Sequence, residues 1–433
     1  MSKSGEALAL LGGTKAVTHP YPPYPVMDHE EVSAATEVVM SRGLSDCGRG
    51  TFVGRMEDDY AAYFGSKYCL SFASGTAAIH GALFALGVRP GAEVLTCNHN
   101  WISAITAIMH AGGTPVLCDT APNSWHIDPR EIRRKATPNT RAVVVTHLWG
   151  IPADMDPILK VCDKLGLPVI EDASHSHGSK YKGRYCGTIG EIGAFSLQAS
   201  KAIVAGEGGF MLTNSSRYYQ RAAVPGHHGA RLSATMSLRE VRPFAQGGGA
   251  WTYRISPIAA AIATAQLRKL PTLNAARQAN FDRLRARIRK FPFLAWPRLA
   301  PGSVRSWYGT PVLFDEAKAG ISRDTFVKAC AAEGMAIGGE GYCDWSQIPL
   351  FQDVRLYSQM FVARHANGVS FQPVEKGSLP NYEAVRTRMI LLAIPAVECP
   401  MLMDQAADAM EKVAANLRAL RRWERSPKKK AAR

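Results

Sequence analysis

A lysine and a carboxylate 29 residues apart supply the two halves of one chemistry in this chain. Lys201 follows the short apolar run Phe195-Ser196-Leu197 and precedes the glycine-rich turn Gly206-Glu207-Gly208-Gly209. A lysine in that setting can be held out of bulk water with its amine aimed into a cleft. Desolvation lowers its proton affinity and makes it a nucleophile able to form a Schiff base with an aldehyde. Leu167-Pro168-Val169-Ile170-Glu171-Asp172 reads as a buried strand ending in an acid. Such an acid keeps a pyridine nitrogen protonated, and a protonated pyridine is an electron sink. The pair suggests pyridoxal phosphate.

Other residues could serve the same group. Gly75-Thr76 follows the strand-like Tyr68-Cys69-Leu70-Ser71-Phe72 and opens a helix. Free N–H groups, the helix dipole and close backbone approach make that junction an anion site, with Ser74 and Thr76 adding hydroxyls. Trp101 follows the next strand and is a candidate ring platform, although an aromatic there can equally be core. His175 and His177 stand two apart after Asp172, with no third ligand at a recognisable spacing, so no metal is expected.

The elements that must position these residues alternate. From about 55 to 215, short β-branched runs (93–96, 114–118, 141–146, 168–170 and 210–213) alternate with helical stretches, one from 77 to 86 stopped at Gly87 and one from 155 to 166. This predicts an α/β domain whose mostly parallel central sheet has helices on both faces. Residues 225–255, with His227-His228-Gly229 and Gly247-Gly248-Gly249, read as an excursion over the site or into a neighbouring subunit. An alanine-rich helix from 258 continues toward 288 as a connector. Strand-like 308–314, a helix near 323–333 and a last helix from Met403 to about Trp423 make a smaller α+β domain. The division expected is an N-terminal arm (1–35), a large domain (36–275), a small C-terminal domain (276–423) and a basic tail (424–433).

At 433 residues, 46% hydrophobic and 20% charged, the chain has the composition of a soluble globular protein of two domains. No apolar run approaches the roughly 20 residues that span a bilayer, and no cleavage pattern marks a signal peptide. Nine scattered cysteines without a CxxC fit a reducing, cytoplasmic compartment. The net charge is +15, of which +7 falls in residues 416–433. That terminal cluster reads as a solvated tail, and no zinc-finger, RNP-like or helix-turn-helix pattern accompanies it, so no nucleic-acid or membrane partner is expected.

Taken in order, these motifs resemble those of the fold-type I pyridoxal phosphate enzymes, and within them the DegT/StrS-like sugar and cyclitol aminotransferases. The likeness rests on Gly75-Thr76-Ala77-Ala78, Trp101-Ile102-Ser103-Ala104, His147-Leu148-Trp149-Gly150 and Glu171-Asp172-Ala173-Ser174-His175. It continues through Gly187-Thr188-Ile189-Gly190, Ala194-Phe195-Ser196, Lys201 with its glycine turn, Tyr253-Arg254-Ile255-Ser256 and Ile394-Pro395. Within the family, scyllo-inosose aminotransferases and 3-amino-5-hydroxybenzoate synthases look nearest. The resemblance implies that Lys201 carries the cofactor and shuttles the proton, while Asp172 partners the pyridine nitrogen. It also implies that Trp101 stacks on the ring, that His175 contacts its phenolic-oxygen side, and that Gly75, Thr76 and Ser196 hold the phosphate. A homodimer with shared active sites follows, as does transfer of an amino group from glutamate or glutamine to a keto-sugar or keto-cyclitol.

Three departures stand out. Thr252 replaces the asparagine that commonly reaches the partner subunit's phosphate, Phe351 replaces a histidine after Pro349-Leu350, and the strand before Trp101 ends Thr96-Cys97-Asn98-His99 rather than in the usual proline. The dehydratase branch exchanges the lysine for histidine, whereas this chain keeps Lys201. Two other readings stay open: an elimination or synthase reaction on the same cofactor, and a non-catalytic regulatory protein that keeps the fold.

Overall fold

Alternation along the short apolar runs explains the central sheet. Leu70 and Phe72, Val94, Val144, Ile170, Ala194 and Met211 face one buried core. Their neighbours Cys69, Phe195, Phe210 and Leu212, with Leu95, Val143, Val145 and Val169, face cores on the other side. A strand buried on both faces is mostly apolar, and these are, with a few buried polar residues such as Ser71, Thr96 and Glu171 among them. The structure, a computed structural model, describes residues 7–339 and 341–426; the tail from 427 onward lies outside the described residues.

The sheet has seven strands in the order Tyr68–Phe72, Gly209–Thr213, Ile192–Ser196, Val169–Asp172, Thr140–Thr146, Glu93–Cys97, Thr114–Cys118. Only Gly209–Thr213 runs against the others. In register, Thr146 pairs with Asp172 and Asp172 with Ala194, so several strands end together on one edge. Ligands of open α/β sheets sit outside such carboxyl ends.

A second, four-stranded antiparallel sheet is ordered Leu294–Ala295, Thr310–Phe314, Met389–Leu392, Ile337–Gly338. Helices Arg323–Ala332 and Pro400–Ala415 cover it. The 32-residue helix Pro257–Ile288 joins the two bodies. Its first half gives Ala260, Ala263 and Leu270 to the large-sheet core, and its end gives Leu284 and Ile288 to the small one.

The expected last helix is not continuous. It starts at Pro400, whose fixed φ suits a first helical position, and breaks at Asn416 before resuming as Leu417–Arg425. The Asn416 amide donates to the Lys412 carbonyl at 2.9 Å, competing with the helical ladder.

The 225–255 stretch is also less irregular than its composition implies. It contains the helix Gly229–Thr235, from which Arg231 makes a two-pronged ion pair with Glu57 at 3.0 and 2.8 Å. Glu57 also accepts from the Ser71 N–H and hydroxyl, so the pair ties this segment to the first strand. Both partners are wholly buried. Replacing Arg231 with methionine removes one of the two guanidiniums on Glu57, leaving only the more exposed Arg49 at 3.0 Å, and should cost about 3 kcal/mol. Denaturant unfolding would read this, and a loss under 1 kcal/mol would rule the account out.

Candidate active site

The anion-binding end forms where two helices begin beside one another. Ser74 caps Gly75–Ala85, its hydroxyl accepting from Ala77 N–H at 3.1 Å. A side chain at Gly75 would stand 2.8 Å from Ser196 Cβ, so only glycine lets these strand ends close up. The Thr76 hydroxyl donates to that of Ser103, the first residue of Ser103–His110, at 2.7 Å. Free first-turn N–H groups and this hydroxyl cluster face one cavity of about 400 Å3.

Asp172 ends its strand on the cavity floor, 5% exposed, with the Ser174 N–H donating to it at 3.2 Å. Burial raises its carboxyl pKa, opposed by the Ser174 hydrogen bonds and the Lys201 charge. Its strand neighbour Glu171 points to the other face. Burial works against that charge, yet His147 at 2.8 Å and the N–H groups of Gly187, Ile189 and Gly190 hold its carboxyl below the usual range. Glu171 thereby locks the strand that carries Asp172.

Lys201 is 8% exposed and its Nζ lies 4.3 Å from the Tyr308 ring centre. The Tyr24 hydroxyl donates to its carbonyl. His175 is buried and stacked on Tyr308, ring centres 3.7 Å apart. Its Nδ1 accepts the Trp149 N–H at 3.3 Å, which puts the ring proton on Nε2, 3.2 Å from the Tyr342 hydroxyl. Burial holds His175 neutral, its pKa well below the ordinary value.

The cavity thus brings together Gly75, Thr76, Trp101, Asp172, His175, Ser196 and Lys201. Trp101 is 48% exposed, tilted against Tyr342 and edge-on to Trp345. His177 turns away from His175, its ring against Phe195 and Phe210. Thr252 is exposed and does not line the cavity of its own chain. Phe351 is core, packed with Met109 and Phe371.

Several lining residues carry no local signal. Tyr342 arrives from the small-sheet side of the chain, and Asn98 helps hold the segment that brings it. The buried Asn98 amide donates to Asp344 at 2.8 Å and accepts from Ser346 N–H at 3.2 Å. Trp345 adds a bond to the Asn100 carbonyl at 2.7 Å. Asn98 is therefore a pin between two parts of the site. Ser103 was legible in principle, as a hydroxyl opening a helix just after a strand.

Histidines buried nearby report on pH. Burial depresses His99, His126 and His177 to about 3 each. In the unfolded chain they titrate near 6.5, so between about pH 6.5 and 3 the unfolded state binds more protons and stability falls as pH falls. Unfolding midpoints should therefore drop between pH 7 and 5. Equal midpoints would show that these rings are not buried neutral.

A mostly parallel sheet with its lysine, acid and helix N-terminus sharing one cavity has the architecture of the fold-type I pyridoxal phosphate transferases. The residues present fit that cofactor: an amine for the aldehyde, an acid for the ring nitrogen, and a helix start closed by Gly75 for the phosphate. Residues 25–371 match the DegT/DnrJ/EryC1/StrS aminotransferase family, and the chain belongs to it. It is a pyridoxal-phosphate-dependent aminotransferase.

One relative, from Micromonospora echinospora, is described as a putative L-glutamine:3-amino-2,3-dideoxy-scyllo-inosose aminotransferase. It is 34% identical over 346 residues, covering 78% of this chain and 80% of its own. The spore coat polysaccharide biosynthesis protein SpsC of Bacillus subtilis is 33% identical, covering 71% and 79%. The aminotransferase from Psychrobacter cryohalolentis superposes with a TM-score of 0.81 at 26% identity, covering 92% of this chain and all of that one. These relatives favour amino transfer over the synthase reading. Among the described residues, no helix is long and apolar enough to cross a membrane.

Proposed function

We propose that the chain moves an amino group from glutamine or glutamate to a keto-cyclitol or keto-sugar, with Lys201 as its catalytic residue. The observation that carries this is a lysine and an acid lining one cavity whose far end is a helix N-terminus. The glutamine:keto-inosose relative supports the choice of donor and acceptor.

When bound, the cofactor supplies an aldehyde carbon for the nitrogen and a ring that takes up the electron pair of a broken C–H bond. Lys201 Nζ would hold the cofactor and, as the amine nearest the reacting carbon, would move the proton at the substrate carbon bearing the nitrogen. Asp172 would keep the pyridine nitrogen protonated. Gly75, Thr76 and Ser196 would hold the phosphate, Trp101 would stack on the ring, and His175 would offer Nε2–H to the phenolic oxygen. Because the proton travels within one complex, the geometry of Lys201 counts for more than its basicity.

A homodimer belongs to the same proposal, with Thr252, exposed in the single chain, donating to the partner's phosphate. So does a cytoplasmic setting, which nine free cysteines support. The test is spectroscopic. Glutamine or glutamate should bleach the visible absorbance of the loaded protein, and a keto-cyclitol should restore it. If no amino donor changes the spectrum, the reading fails, and an amino-hydroxybenzoate product would favour the synthase.

A further inference from the structure

Beside the cofactor cavity lies a second, of about 250 Å3. The two share Ser200 and Tyr308, but Lys201 lines only the first. Tyr21 and Tyr24 of the N-terminal arm line it together with Trp307, Ile394 and Val397. Arg277, from the long helix, also lines it and is 3% exposed.

Comparison with the other buried arginines sets Arg277 apart. Arg231 has both oxygens of Glu57. Arg305 donates to the carbonyls of Ser306, Trp149 and Gly309 and lies 4.0 Å from the Trp307 ring centre. Arg277 reaches only Asn274 Oδ1 at 3.4 Å and the Tyr24 hydroxyl at 3.3 Å. Among the described residues no carboxylate pairs with it. A guanidinium does not shed its proton, so this is a buried charge, beside open space, lacking a counter-ion.

We propose that this cavity binds the carboxylate of a small amino or oxo acid, held by the Arg277 guanidinium. The planar fork of arginine matches a carboxylate, and one guanidinium offers charge for one such group. The aromatic and aliphatic walls suit a short carbon skeleton, and the volume falls below that of sites for larger ligands. The Tyr24 hydroxyl touches both Arg277 and the Lys201 carbonyl, so an occupant lies one side chain away from the catalytic loop. Such acids are what the proposed reaction consumes and releases. That link rests on the reading above, whereas the binding itself does not.

Glutarate has neither amine nor ketone, so its binding is read whether or not the chain transaminates. Titrated calorimetrically into the cofactor-loaded protein, it should bind, with density on Arg277 in soaked crystals. Arg277→Gln should weaken binding by about thirty-fold or more. Ile394→Phe, which fills the cavity while keeping the charge, should also weaken it. Both variants should keep the visible spectrum of the bound cofactor. Absence of binding, unchanged affinity in the variants, or density only beside Lys201 would overturn the proposal. Should one variant fail to fold, the other decides.

Discussion

Lys201→Ala should leave a folded protein that has lost its visible absorbance and turns over at least ~10³-fold more slowly, since both the covalent attachment and the proton carrier go with one amine. Folding should survive because the side chain stands at the cavity with its Nζ above Tyr308 and its charge toward Asp172, and carries no part of the core. The local turn is held by backbone bonds, Lys201 N–H to Gln198 and Tyr24 hydroxyl to the Lys201 carbonyl, and alanine keeps both. Lys201→Arg separates chemistry from charge. It restores a cation over the Tyr308 ring but no nucleophile, so it should be as inactive as the alanine variant. Single-turnover kinetics with glutamine would read the loss. Activity within ten-fold of the parent in either variant would exclude a catalytic Lys201.

Asp172→Asn removes a charge and almost nothing else. The amide oxygen can still accept from Ser174 N–H, and the strand is anchored independently through Glu171 and its His147 and loop donors. What disappears, on the proposed reading, is the anion that would keep a proton on the ring nitrogen. The expected result is a roughly 10²–10³-fold slower donor half-reaction, with the cofactor still attached to Lys201. Asp172→Glu, which keeps the charge on a longer arm, should recover part of the rate. Were the asparagine variant to match the parent, the acid would be only a cap for the turn that follows it.

These two residues were readable from the chain because their signals are local. A buried strand is mostly apolar, so the acids that close Val169–Asp172 are conspicuous, and a lysine between an apolar strand and a glycine turn has few ways to reach water. Gly75-Thr76 was legible for the same reason, as a strand passing directly into a helix. The family likeness extended this to Trp101, His175 and Ser196.

Other parts of the site had no such signal. Tyr342 and Tyr308 come from the C-terminal third of the chain, yet they meet His175. The end of the strand before Trp101 could be marked as lacking a proline, but the bonds of its Asn98 to Asp344 and Ser346 span about 250 residues of sequence. The Glu57–Arg231 pair gives order to a stretch whose composition reads as loop, and Asn416 interrupts a helix whose apolar period continues.

Period and punctuation along the chain specify strands, helix starts and the residues at their ends, because each follows from the backbone's own hydrogen-bonding needs. Which aromatic leans over the cavity, and which buried arginine is left facing space, depends on how two separately ordered sheets settle against one long helix. No stretch of neighbouring residues encodes that contact energy.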